Sequence, residues 1–180
     1  SLSHDLVFHN FHHTANVVRG VRDICKHMKV SSADSEVLLL SAWFHDSGHT
    51  LKYIGHEEES QKLVREWLEK EEYPSERIEM IEACIGATRF PQKPKNLLEE
   101  IMCDADLFHL SLPEYCHLQF QLREEFSRIF SRKYQDRDWI DENLKFIAAH
   151  EYWTDYGKTV LAERKQRNYD LCKQMVRDLS

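Results

Sequence analysis

The chain has 180 residues, of which 42% are hydrophobic and 31% charged, with only 5 Gly and 4 Pro. That length and balance suit one soluble globular domain with a real core, and exclude disordered and collagen-like classes. A net charge of -7 argues against stable nucleic-acid binding, which needs a basic surface, and no apolar run approaches the ~20 residues of a membrane span.

Helical spacing of apolar residues runs almost the whole length. Phe8, Phe11, Ala15, Val18, Val21 and Cys25 trace one stripe of a first helix ending near Met28. Ser32 is the expected cap of a second, with Asp34 in its first turn and Gly48 as its stop. Val37 to Phe44 is apolar nearly all round, which predicts a helix in the middle of a bundle. Glu57 to Lys70 predicts an amphipathic third helix with Leu63, Val64, Trp67 and Leu68 inward. Pro74-Ser75 restarts the chain, and Ile78, Ile81, Cys84, Ile85 and Thr88 mark a fourth. Pro91 and Pro94 fix a loop over Arg89 to Lys95. Asn96 with Glu99 reads as a capping box that opens a fifth helix through about Leu110. Pro113 starts a sixth toward Phe130. Trp139, Ile140, Leu144 and Ile147 mark a seventh, and Val160 to Leu179 carries the last. No segment alternates with period two, so the expected fold is all-α, a single domain over 1-180.

The five cysteines, Cys25, Cys84, Cys103, Cys116 and Cys172, form no close pair in sequence. An odd number without framework spacing predicts reduced thiols and a cytoplasmic protein. No signal peptide is read. The chain begins at Ser1 without an initiator Met, so a trimmed piece of a larger protein is expected.

Eight of the eleven histidines fall within the first 56 residues: His4, His9, His12, His13, His27, His45, His49 and His56. His9 and His13 stand four apart and share a helix face. His45 and His49 repeat that spacing, with Asp46 beside His45. Imidazole with carboxylate is a nitrogen/oxygen donor set for Mn, Fe, Co, Ni or Zn more than for Ca. With no thiolate among them, an open catalytic site is favoured over a closed structural one. Such a site lowers the pKa of water and polarises a phosphoryl oxygen. A further carboxylate is expected from Asp104 or Asp106, which lie about 200° apart around a helix axis, so that one of the two reaches the ion.

In this order the residues resemble the HD-domain superfamily of metal-dependent phosphohydrolases, which is all-α. His13, His45-Asp46 and Asp106 resemble its H…HD…D signature. Phe8-His9-Asn10-Phe11-His12-His13-Thr14, Ala42-Trp43-Phe44-His45-Asp46-Ser47-Gly48-His49, Gly55-His56-Glu57-Glu58-Glu59-Ser60 and Asp104-Ala105-Asp106-Leu107 resemble its motifs. The resemblance spans core motifs over 7-110, with C-terminal helices over 113-180. It implies a compact multi-helix bundle whose metal site lies between central helices. It also implies His13, His45, Asp46 and Asp106 as ligands of one divalent ion, because the family ligand usually stands in an Ala-Asp-x-Leu context. Asp104 is then an outer neighbour. HNxxH and HDxxH also resemble cyclic-nucleotide phosphodiesterase motifs, which implies His9 as general acid. His49 and His56 match positions that face substrate phosphates in the triphosphohydrolase branch. That implies His56 as phosphate ligand or general acid, and His49 as water-orienting or phosphate-binding. His12 lies off the shared face and is expected to be structural.

After His56 the next histidine is His109, so the histidines that hold a second metal in some members are missing, and one tightly bound ion is expected. Leu107 stands where some triphosphohydrolases carry a phosphate-gripping Lys, which weakens that substrate. Thr88 to Lys95 carries three positive charges, and Arg89 can meet a phosphate bidentately. His150, Tyr152, Trp153, Lys158, Arg164, Lys165 and Asn168 are expected to serve core and surface. The expected function is hydrolysis of a phosphomonoester or phosphodiester, of a nucleotide or related small metabolite. The alternatives are a nucleotide-sensing module with little turnover and, more remotely, a di-iron oxygenase. A homodimer is left open.

Overall fold

The computed structural model describes residues 3–178, and no strand occurs among them. Asn10 sets where the first helix starts: its side-chain oxygen accepts from His12 N at 2.8 Å and His13 N at 3.3 Å, so α1 is Phe11–Met28. Phe8 therefore precedes the helix instead of opening its stripe, yet it is buried, whereas Phe11 is 70% exposed and meets Trp43. Ser31, not Ser32, caps α2 (Ser32–Phe44), because its hydroxyl accepts from Asp34 N at 3.0 Å. The helix stops at Phe44 with His45 as its C-cap, ahead of Gly48. A 3₁₀ turn, Ser47–Thr50, follows.

α3 (His56–Lys70) and α4 (Ser75–Ala87) pack against each other. Trp67, expected inward, is 45% exposed and lies against Phe44. Ile78, Ile81 and Ile85 are fully buried with Val37, Val64 and Leu68. Each such burial contributes roughly 1.5–3 kcal/mol, more than helix propensity can for so short a helix. α5 (Leu97–Asp106) has Asn96 as its cap, with Glu99 N donating to it. It ends four residues earlier than expected, and the chain continues as a 3₁₀ turn, Leu107–Ser111. α6 (Tyr115–Ile129), α7 (Asp136–Ala149) and α8 (Ala162–Asp178) complete the bundle, a π-turn over Gly157–Leu161 preceding α8. Leu179, the expected end of the last helix, lies outside the described residues.

α2 packs against α1, α3, α4 and α5, which accounts for its nearly all-round apolar sequence. Two glycines are demanded by close approach. A Cβ at Gly48 would overlap the His56 carbonyl and sit 2.8 Å from Ser60 N, and one at Gly157 would overlap the Asp104 carboxylate. Lys165 and Asn168 serve the fold, as expected. Lys165 Nζ donates to the Ile147 carbonyl at 3.1 Å, and Asn168 Nδ2 donates to the carbonyls of Leu110 and Leu112 at 2.7 and 2.8 Å. Cys116 and Cys172, far apart in sequence, bring their sulfurs to 3.6 Å. No helix among the described residues is long and apolar enough to cross a membrane.

Candidate metal centre

Four helix ends converge on one point. The first turn of α1 supplies His13, the end of α2 supplies His45 and Asp46, the start of α3 supplies His56, and the end of α5 supplies Asp106. His45 Nδ1–H donates to the Ala42 carbonyl at 2.8 Å. A carbonyl only accepts, so this bond holds the proton on Nδ1 and turns Nε2 inward, the nitrogen left for a metal. That Nε2 lies 3.4 Å from His13 Nε2, 3.2 Å from Asp46 Oδ2 and 3.5 Å from Asp106 Oδ1. His13 Nε2 is 3.4 Å from Asp46 Oδ2 and 3.5 Å from Asp106 Oδ1. His13, His45 and Asp106 can together hold a metal ion, each offering a ligand atom within 4.8 Å of the others.

The electrostatics fit a cation. Burial pushes the Asp46 carboxyl up, but the His45 imidazole and its other partners outweigh burial and hold it well below the usual carboxylate range. Burial likewise raises Asp106, and the bonds from His13 and His45 overcome it. The buried Asp46 and half-buried Asp106 thus hold negative charge where two imidazole Nε2 atoms converge, and positive charge between them, a proton on His45 or an ion, offsets it. Asp46 Oδ2 is moreover buried with no hydrogen-bond partner, as a ligand atom awaiting an ion would be.

Asp104 does something else. Fully buried, it accepts from Trp153 N at 2.8 Å, from Thr154 N at 2.9 Å and from the Thr154 hydroxyl at 2.7 Å. It pins α5 to the segment ahead of the π-turn and faces away from the histidines. Asp104→Ala should therefore lower stability by about 1–3 kcal/mol, the scale of leaving buried neutral donors without an acceptor. Asp106→Ala should weaken metal binding while leaving the metal-free melting temperature nearly unchanged. Thermal melts in chelator beside metal titrations check both; a well-folded Asp104→Ala that loses metal would reverse the assignment.

A second group was not legible from the spacing of histidines after His56. His9, Asp46 and His49 also offer ligand atoms within 4.8 Å of one another. Its histidines come from upstream of His56, and its Asp46 also lies against the first group, Oδ2 3.2 Å from His45 Nε2 and 3.4 Å from His13 Nε2. His49 stacks on His56, ring centroids 3.8 Å apart and 18° from parallel. Both of its ring nitrogens are buried without a partner, and burial pushes its pKa down to about 3. His56 Nδ1–H donates to the Tyr53 carbonyl at 3.0 Å, and its Nε2 lies 3.3 Å from Asp46 Oδ1.

The residue that sequence reasoning missed entirely is Glu125 on α6. It is fully buried and accepts from Phe8 N at 2.8 Å, His9 N at 2.9 Å and the Tyr53 hydroxyl at 2.8 Å. Phe8 N and His9 N share Oε2, while Oε1 takes the Tyr53 hydroxyl and is bonded to His9 Nδ1. Burial pushes the His9 imidazole down, but the Glu125 bond and the Asp46 and Glu125 charges outweigh it, so its pKa stands above the usual histidine range. With Nδ1 committed to Glu125, Nε2 is the nitrogen left for chemistry.

A cavity of about 260 Å³ opens over this cluster, with His9, His13, Asp46, His56, Asp106 and His109 on its polar side. His49 is not on its wall, lying instead behind His56. Arg89 is not there either: its guanidinium pairs with Glu58 at 3.0 Å and approaches Glu57 at 4.0 Å. From the same loop Gln92 does reach in, its amide donating to Asp106 Oδ2 at 3.3 Å. His109 Nδ1–H donates to the Asp106 carbonyl at 3.2 Å, and burial lowers its pKa to about 3, which keeps it neutral. His12 is exposed and lies outside the cluster.

Comparison with protein-family models matches the HD domain over residues 10–111. No curated protein and no solved structure matches the chain.

Proposed function

The chain belongs to the HD-domain family, and from that premise we propose that it hydrolyses phosphate esters with a divalent metal, acting on a phosphomonoester or phosphodiester of a nucleotide or related small metabolite. What most supports this reading is the convergence of two imidazole Nε2 atoms and two ionised carboxylates at the floor of a cavity. His13, His45, Asp46 and Asp106 would hold one ion tightly. Bound there, it would polarise a phosphoryl oxygen and make water acidic enough to attack near neutral pH.

The chain's own groups account for the remainder. His56, on the cavity wall at the start of α3, meets a phosphate oxygen where the helix N-terminus favours negative charge. His49, stacked behind it and off the cavity wall, fixes its plane. His9, held by Glu125 with a raised pKa, protonates the departing oxygen. Arg89 reaches the phosphate only by exchanging Glu57 and Glu58 for it. Phe8, Phe90, Phe126 and Phe146 form the apolar side of the cavity and keep bulk water out.

A turnover assay tests the proposal, using nucleoside mono-, di- and triphosphates, cyclic nucleotides and simple phosphodiesters with Mn, Mg, Co or Ni. Phosphate release that depends on metal is expected. Tight nucleotide binding with no release would move the reading to a sensing module. Two irons per chain with oxygen consumption would move it to an oxygenase that uses the second group.

A further inference from the structure

Beside the metal cavity lies a second chamber of about 380 Å³, walled largely by aromatic side chains. Phe8, Phe90, His109, Leu122, Phe126 and Phe146 line both spaces, so they are two rooms on one partition. Together they suit one small-molecule ligand with a polar and an apolar end, since such pockets typically hold ~300–1,000 Å³. Tyr115 and Trp139 extend the apolar room away from the histidines.

One side chain in this room is out of keeping with its surroundings. Gln119 on α6 is 2% exposed, and both its amide nitrogen and its amide oxygen are buried without a hydrogen-bond partner. Its polar neighbours are satisfied. The Tyr115 hydroxyl donates to Asn143 Oδ1 at 3.1 Å, Asn143 Nδ2 donates to the Trp139 carbonyl at 2.9 Å, and Trp139 Nε1 donates to the backbone carbonyl of Gln119 itself at 2.9 Å. Nothing within the described residues uses the amide. A buried primary amide left with both functions free is uncommon and calls for a partner. It offers a donor and an acceptor side by side, which match the paired acceptor and donor on the edge of a purine or pyrimidine. The aromatic walls supply faces for a planar ring to lie against.

We propose that this chamber is the subsite for a nucleobase of the phosphorylated substrate, read through the Gln119 amide. The inference rests on the phosphohydrolase reading only for where the phosphate sits. A sugar or polyol would leave its hydroxyls against aromatic carbon, and a plain hydrocarbon would leave the amide still unpaired. A planar heterocycle satisfies both surfaces.

Equilibrium binding separates the two claims, because it needs no turnover. Calorimetric titration of the wild-type protein with nucleoside monophosphates should give affinities at least about 10-fold above that for ribose 5-phosphate, given what one good base contact contributes. Gln119→Leu should remove most of that advantage and leave ribose 5-phosphate binding as it was. Since the amide is unpartnered, the Leu variant should melt no lower than wild type; Gln119→Glu, of equal shape, serves beside it and should change the order of preference among the bases. Equal affinity for nucleotides and ribose 5-phosphate would overturn the proposal, as would parallel loss of both ligands in either variant. Base-dependent binding without phosphate release would instead sink the hydrolase reading and leave this subsite standing.

Discussion

Replacing Asp46 with Ala should remove both metal and activity. The carboxylate sits 3.2–3.4 Å from the Nε2 atoms of His45 and His13, and its other oxygen lies 3.3 Å from His56 Nε2. It is a member of the group formed with His9 and His49, and it stands within 3.4 Å of both histidines of the other group. Loss of an outer-shell partner costs ~10–100-fold in metal affinity or activity, and a residue that joins the inner set should cost more. The fold should survive, because Asp46 forms no cap hydrogen bond at the 3₁₀ turn it precedes. The check is metal content with initial rates for wild type and variant, and full phosphate release by a metal-free Asp46→Ala protein would refute the scheme.

Glu125→Gln should lower kcat by about 10–100-fold, the scale of an outer partner of a working histidine. It acts as a positioning residue, holding His9 from α6. A purely structural role would show in stability alone, and the variant should lose some, since the Gln amide cannot accept as the carboxylate does from Phe8 N, His9 N and Tyr53. The pH profile makes the distinction. As general acid His9 must be protonated, so activity falls as pH rises through its pKa. The Glu125 bond and charge raise that pKa; without the charge it drops, and the alkaline limb of the profile should move to lower pH. An unmoved limb with a lower melting temperature would confine Glu125 to the fold.

Why Glu125 escaped the sequence reading is a matter of physics. On an amphipathic helix beside Arg123 and Glu124 it has the look of a solvated charge. Its burial depends on unpaired N–H groups at Phe8 and His9, 117 and 116 positions away, which exist only because Asn10 delays the start of α1. Gln119 and Phe146 were hidden for the same reason, as a chamber between α6 and α7 leaves no local pattern. By contrast, α2 declared its central place through apolar residues on every side. His13, His45-Asp46 and Asp106 were legible because each lies at a helix end, where a short motif also marks a boundary. Asp104 and Asp106 could not be told apart by spacing. The partners of Asp104, Trp153 and Thr154, lie 49 and 50 positions downstream.

Histidine counting beyond His56 predicted one ion, while the structure assembles a second group from His9, Asp46 and His49. The first group is the better binder on geometry: His45 is held by the Ala42 carbonyl with Nε2 inward, whereas His9 is drawn toward Glu125. Elemental analysis of the purified protein, paired with phosphate release before and after chelation, bears on this directly. The account predicts close to one divalent ion per chain, activity lost with the ion and restored when it is returned. Undiminished phosphate release from protein stripped of metal would contradict it.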